Sequence, residues 1–154
     1  RQRQPDMSHT AQIKIPATYM RGGTSKGVFF RLQDLPEQCR LPGAARDALL
    51  LRVIGSPDPY GKHTDGMGGA TSSTSKVVIL SKSEREGCDV DYRFGQVAID
   101  APVIDWSGNC GNLSAAVGAC ASPADEALEG APGDPAVDRA IEYCTQGGDA
   151  QMKS

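Results

Sequence analysis

The sequence predicts an α+β fold with strands early in the chain and a small-residue helix late. Three observations carry that prediction. Short runs of β-type residues at Ile13–Tyr19, Gly27–Arg31, Lys76–Lys82 and Val90–Asp100 outnumber the helical patterns. Apolar residues at helical spacing occur within Gly43–Gly55 and return after Asn109. Gly 18 and Pro 10 among 154 residues make the chain turn-rich, yet it stays below the roughly 25–30% that marks low complexity. Strands followed by a buried helix favour segregated layers over a βαβ alternation. A length of 154 residues suits one ordinary domain.

Each element can be justified in turn. Residues 1–12 show no periodicity and are expected to be a disordered leader, with Met7 preceded by Arg1–Asp6. Ile13–Tyr19 alternates loosely, and Pro16 marks it as an edge strand. Gly27–Arg31 reads as a second short strand. In Gly43–Gly55 the residues Ala44, Ala48 and Leu51 repeat at helical spacing, and Gly55 suits a C-terminal cap. Ser56–Ser75 is a long loop of mostly Gly, Ser, Thr, Pro and Asp. Loops of that length in a small domain are usually functional or disordered. Lys76–Lys82 and Val90–Asp100 return to strand, the second expected to bend at Gly95. After Trp106, Asn109–Gly118 reads as a turn feeding a small-residue helix.

Charge marks a boundary near Cys120. From Ala121 to Ser154 there are seven acids and two bases, leaving twelve acids and fourteen bases in the first 120 residues. Residues 13–120 are therefore read as the domain and 121–154 as a divergent acidic tail. Within the tail, Ser122-Pro and Asp134-Pro are candidate helix starts. Val137, Ala140, Ile141 and Cys144 then share one helical face.

Several function classes are unattractive. A net charge of -3 without a block of like charge gives nothing for nucleic acid to bind. The longest apolar runs, such as Val77–Leu80, fall far short of the ~20 residues of a membrane span. No secretory leader is visible, so the expectation is a soluble, cytoplasmic protein. The five cysteines show no CxxC spacing, and His9 and His63 lie far from them in sequence. Neither a disulfide framework nor a metal site is expected.

Three segments carry chemistry. Met20-Arg-Gly-Gly-Thr-Ser-Lys-Gly27 joins two strands, with backbone amides, Arg21 and Ser25 available to an anion. The plain alternative is a tight turn with solvated charges. Asp65-Gly-Met-Gly-Gly-Ala-Thr-Ser-Ser-Thr-Ser-Lys76 could wrap a polyanion and ends on a lysine entering an apolar strand. Partial burial there would favour the neutral amine, a usable proton acceptor. Its alternative is a flexible loop with a snorkelling lysine. Ser107-Gly-Asn-Cys-Gly-Asn112 sets a thiol at the start of a helix, where unpaired amides favour the thiolate. The alternative is a buried, inert cysteine. Donors for carboxylates beside Lys76 and Cys110, with no nucleotide fingerprint and no Ser-His-Asp pattern, point to acid–base chemistry at carbon next to a carboxylate.

At these segments the sequence resembles the 2-methylaconitate cis-trans isomerase family. The strings that carry the resemblance are Met20–Phe30, Val53–Gly61, Asp65–Lys76 and Asp105–Gly118, covering about Ile13 to Gly118. The resemblance implies a diaminopimelate-epimerase-like fold, in which two similar domains each wrap a curved sheet around a central helix. It implies isomerisation of an unsaturated tricarboxylate without metal or organic cofactor, in the methylcitrate pathway of propionate catabolism. Lys76 matches the lysine that removes a proton next to the double bond, and Cys110 matches an epimerase thiol acting in proton transfer or positioning. Arg21, Ser25, Met67, Gly68, Ser73, Asn109, Gly111 and Asn112 are the candidate contacts to the carboxylates. The partners it brings into view are a second copy of the chain and an iron–sulfur, aconitase-like dehydratase. A related oxo-tricarboxylate tautomerase and a non-catalytic partner protein stand as alternatives. A family member is expected to continue beyond Gly118 into a second domain. The acidic turn of this chain there leads to the expectation that the second domain is absent, through a shifted frame or a truncated gene.

Overall fold

The computed structural model describes residues 12–121 and 143–145. A mixed sheet with helical pieces on both faces makes the protein α+β, as the strand-rich sequence predicts. Its strands are β1 (Thr18–Gly22), β2 (Ser25–Arg31), β3 (Lys76–Lys82), β4 (Val90–Val97) and β5 (Ile104–Asp105). They lie side by side in chain order. Neighbours are antiparallel except for β2 and β3, which run parallel with Val28 opposite Val77. A sixth strand, β6 (Tyr143–Thr145), pairs with the start of β4. Cys144 thus lies in a strand and not on the helical face expected for it. The two candidate helix starts of the tail lie outside the described residues.

The parallel step between β2 and β3 requires a crossover, which holds helix α1 (Ala44–Ile54). Gly55 closes α1 in the left-handed conformation at φ +85° and returns its N–H to Leu51, the cap its sequence position predicts. Before the helix, two 3-10 turns at Leu32–Asp34 and Glu37–Cys39 are bound by arginines. Arg40 donates to the Leu35 and Gln33 carbonyls, and the buried Arg46 donates to the Cys39 and Arg40 carbonyls. Burial foremost, and then Arg93, lower the proton affinity of Arg46.

Strand alternation divides the buried side chains into two layers. On one face Val28, Phe30, Val77, Ile79 and Val97 meet Leu50, Leu51 and Ile54 of α1. On the other, Phe29, Val78, Leu80, Tyr92 and Phe94 meet α2 (Gly111–Ser114) and α3 (Val117–Ala121) through Leu113, Ala116 and Val117. A sheet buried on both faces reads as continuous apolar runs, which explains Val77-Val-Ile-Leu80. Each fully buried Leu, Ile or Val contributes about 1.5–3 kcal/mol relative to exposure.

Three local expectations differ from the structure. The first strand begins only at Thr18, because Pro16 cannot donate to a ladder. Gly95 makes no bend: it pairs with Val77 inside β4, and a Cβ there would lie 2.8–2.9 Å from Ile104, Trp106 and Val77. The missing side chain admits the Trp106 ring, whose Nε1 donates to Asp47 on α1 at 3.1 Å. The late helix is split into α2 and α3 by the turn at Ala115–Ala116. In addition, Cys88 is disulfide-bonded, which no cysteine spacing signalled.

Candidate functional site

The second face of the sheet gathers three of the candidate residues, Ser25, Lys76 and Cys110, at one end. Ser25 opens β2, Lys76 opens β3 and Gln96 lies opposite Lys76 near the end of β4. Alternation places Ser25 with Phe29, Lys76 with Val78, and Gln96 with Phe94, all on the face that α2 covers. Cys110 immediately precedes α2 and belongs to the same buried cluster.

Cys110 is fixed from several directions. Asp105 accepts hydrogen bonds from the Ser107 amide and hydroxyl at 2.9 and 2.6 Å, turning the chain after β5. Those bonds, the hydroxyl first, hold the Asp105 carboxyl below the usual aspartate range. Asn109 Oδ1 accepts the Cys110 N–H at 2.7 Å. Tyr92 donates its hydroxyl to the Cys110 carbonyl at 3.2 Å. The Cys110 Sγ, buried and outside any disulfide, comes within 3.8 Å of Ser25 Oγ.

The glycines of Met20–Gly27 explain how α2 reaches the sheet. A Cβ on Gly22 would lie 2.2 Å from the Asn112 carbonyl oxygen, and one on Gly27 would lie 2.8 Å from Leu113 Cδ1. Gly23 turns the β1–β2 hairpin at φ +51° beneath the Asn112 side chain, whose Nδ2 donates to Thr24 Oγ1 at 3.0 Å. The glycines of this segment thus form a seat for α2. Arg21 is exposed on β1, opposite Lys26.

Lys76 is 8% exposed. Its Nζ donates to Gln96 Oε1 at 2.8 Å and stands 4.8 Å from the centre of the Phe94 ring. Among the described residues it forms no ion pair, the one such pair being Arg31–Asp34. Lysines are rarely buried unless paired, and this one is held by a neutral amide on the sheet face that also carries the buried Cys110.

Ser56–Ser75 is ordered by bonds within itself and to α1. Asp58 accepts the amides of Tyr60, Lys62 and His63, and these bonds, Tyr60 first, hold its carboxyl below the usual range. Met67 and Gly68 donate their amides to the Val53 and Ile54 carbonyls at 2.8 and 3.0 Å, satisfying the end of α1. Met67 leaves its side chain 44% exposed. The loop closes around His63, which is 2% exposed at φ +52°. Its Nδ1 accepts from the Ala70 amide at 3.3 Å and lies 3.4 Å from Ser75 Oγ. Gly68 makes room for that ring, since a Cβ there would lie 2.2 Å from Nδ1. Ser73 accepts the Lys26 amide at 2.8 Å, joining the loop to β2.

The structure therefore gathers Lys76, Cys110 and Ser25 on one face, with Asn109, Gly111 and Asn112 bordering the thiol. Ser73 lies beside Lys26, Arg21 lies on the hairpin, and Met67 and Gly68 are anchored on α1. Sequence reasoning missed Gln96, Phe94 and His63. Gln96 carried one signal, a polar residue on the same alternating positions as Tyr92 and Phe94, but its partner depends on a register that sequence does not show. Among the described residues no three or more His, Cys, Asp or Glu side chains gather as metal ligands. None of the described helices is long and apolar enough to cross a membrane.

The family model described as "PrpF protein" matches residues 12–132. The chain is 80% identical over 112 residues to a 2-methyl-aconitate isomerase of Cupriavidus necator, covering 73% of this chain and 28% of that protein. It is 78% identical over 110 residues to a 2-methyl-aconitate isomerase of Shewanella oneidensis, covering 71% and 28%. A 4-oxalomesaconate tautomerase of Pseudomonas putida is 51% identical over 107 residues, covering 70% and 28%. Among solved structures, a methylitaconate-delta-isomerase superposes with a TM-score of 0.64 at 45% identity, covering 73% of this chain and 27% of the other. The chain spans just over a quarter of the length of these relatives.

Proposed function

Because the chain belongs to the PrpF protein family, we propose that it carries the proton-transfer portion of an isomerase site for unsaturated tricarboxylates of the 2-methylaconitate type. The observation that carries this reading is the buried Lys76, which has no counter-ion among the described residues, on the same face as the free Cys110. Identity of 78–80% to proteins named 2-methyl-aconitate isomerase supports the substrate class.

In the proposed reaction the neutral Lys76 amine takes a proton from the carbon next to the double bond. The C–H electron pair remains as an allylic carbanion, and the former double bond gains single-bond character and rotates. Lys76 or Cys110 returns a proton, so the substrate keeps its composition and changes its geometry. Arg21, Ser25, Met67, Gly68, Ser73, Asn109, Gly111 and Asn112 are the proposed carboxylate contacts. The Met67 and Gly68 amides would first have to leave α1, so their contribution rests on the loop moving. No cofactor enters this scheme. The reaction belongs, on this reading, to the methylcitrate route of propionate breakdown in the cytoplasm. A second copy of the chain, or an iron–sulfur dehydratase, would be its partner.

A second reading, tautomerisation of an oxo-tricarboxylate, is favoured by the 51% identity to the oxalomesaconate tautomerase. It uses the same proton transfer at Lys76. Proton NMR of trans-aconitate or its 2-methyl analogue in D₂O, with the purified chain and with Lys76→Ala, tests the proposal. Lysine-dependent isomerisation or deuterium uptake supports it. No reaction from the folded chain rejects catalysis by this chain alone.

A further inference from the structure

We propose that Gln96 is the positioning residue for Lys76, a neutral clamp that holds Nζ in place whether or not it carries the proton. The inference rests on the reading of Lys76 as the proton-transfer group, and it goes beyond that reading by assigning the group that aims it.

The backbone sets the pair. Lys76 and Gln96 are directly opposite in the antiparallel β3–β4 ladder, so the strand register fixes the distance between their side-chain bases. The Gln96 carboxamide is itself oriented, because its Nε2 donates to the Ser75 carbonyl at 3.0 Å. That carbonyl also accepts the Val97 amide at 2.9 Å. With Nε2 committed, Oε1 must face Nζ, which it accepts at 2.8 Å. The opposite orientation of the amide would set donor against donor. Phe94, two residues earlier on the same face, supports the ammonium with its ring at 4.8 Å.

The neutrality of the clamp matters. A carbonyl accepts an N–H from an ammonium and from an amine alike, so Nζ keeps its place through a cycle of protonation and release. A carboxylate at position 96 would pair with the ammonium and hold the proton there. An aliphatic side chain would remove the acceptor to which Nζ is hydrogen-bonded among the described residues.

The test uses the whole 154-residue chain labelled with 15N-lysine, the Lys76 Nζ signal being assigned through Lys76→Arg. The Nζ titration and the exchange of its protons with water are followed by NMR in the parent chain, Gln96→Glu and Gln96→Leu. Relative to the parent, the titration midpoint is expected to rise by about one pH unit in Gln96→Glu. In Gln96→Leu it is expected to fall, with Nζ proton exchange about tenfold faster, the equivalent of one hydrogen bond. Emission of the lone tryptophan, Trp106, reports whether each variant is folded. If Gln96→Leu fails to fold, Gln96→Glu decides alone. Midpoint and exchange rate unchanged in the folded variants overturn the proposal, since a merely structural Gln96 would alter stability without moving the Lys76 titration. The underlying reading fails separately: Lys76→Ala would then retain deuterium uptake, whatever the Nζ titration shows.

Discussion

Lys76 gives the sharpest consequences at the residue scale. If it is the base, Lys76→Ala lowers isomerisation or deuterium uptake by about 10²–10⁴-fold, the usual worth of a positioned acid–base group. Lys76→Arg is expected to fail almost as badly, because a guanidinium does not give up its proton. The check is rate by NMR at fixed substrate, with Trp106 emission confirming the fold. His63 shows where reasoning from residues ran out. In sequence it is an isolated histidine with no ligand partner, whereas the folded loop wraps its ring. Gly68→Ala should expose that dependence. Its Cβ would meet Nδ1 at 2.2 Å and Ile54 Cγ2 at 2.7 Å, so a loss of about 1–3 kcal/mol in urea unfolding is expected. A neutral result would mean that the ring can move aside.

Among the elements, the Ser56–Ser75 loop makes a prediction about acid. Asp58 is held ionised by three backbone amides. A carboxyl depressed in the folded state stabilises it fully above the unfolded value of about 3.9, and that contribution disappears as the pH falls through the lower folded value. The Tyr60, Lys62 and His63 amide resonances should therefore titrate with a midpoint below that of an ordinary aspartate. In Asp58→Asn this transition should vanish. Helix α1 was legible because its apolar spacing and Gly55 cap are local signals, and β3 was legible as an unbroken apolar run. Gly95 was not, since a glycine that bends a strand and one that admits a neighbouring ring look alike until Trp106 is placed. The seat beneath α2 was equally hidden, because Gly22 and Gly27 earn their role from Asn112 and Leu113, far along the chain. Asn112→Ala removes the bond to Thr24 and should cost about 0.5–1.5 kcal/mol, measured by denaturant unfolding.

For the molecule as a whole, the two buried layers should respond as separate stores of stability. Ile54→Ala strikes the α1 layer and Leu113→Ala the α2 layer, both at fully buried positions. Each is expected to lose about 2–5 kcal/mol. With the sheet between them, the double variant should lose the sum to within about 0.5 kcal/mol, a comparison that urea titration of all four chains would settle. The α+β class and one cluster of chemistry could be read from sequence, because strand periodicity and motif strings are local. Which face the cluster occupies could not, because it follows from the parity of residues in three paired strands. The parallel joining of β2 to β3 has a consequence in time. Antiparallel neighbours can zip from a hairpin, but this seam forms only after the whole crossover from Leu32 to Ser75 has been made. Non-local closure of that kind slows folding. During synthesis Ser25 leaves the ribosome first, Lys76 follows roughly several seconds later and Cys110 comes last. The exposed β1–β2 hairpin must wait through that interval, so a nascent chain stalled before Lys76 displays Val28, Phe29 and Phe30 to chaperones and to other nascent chains.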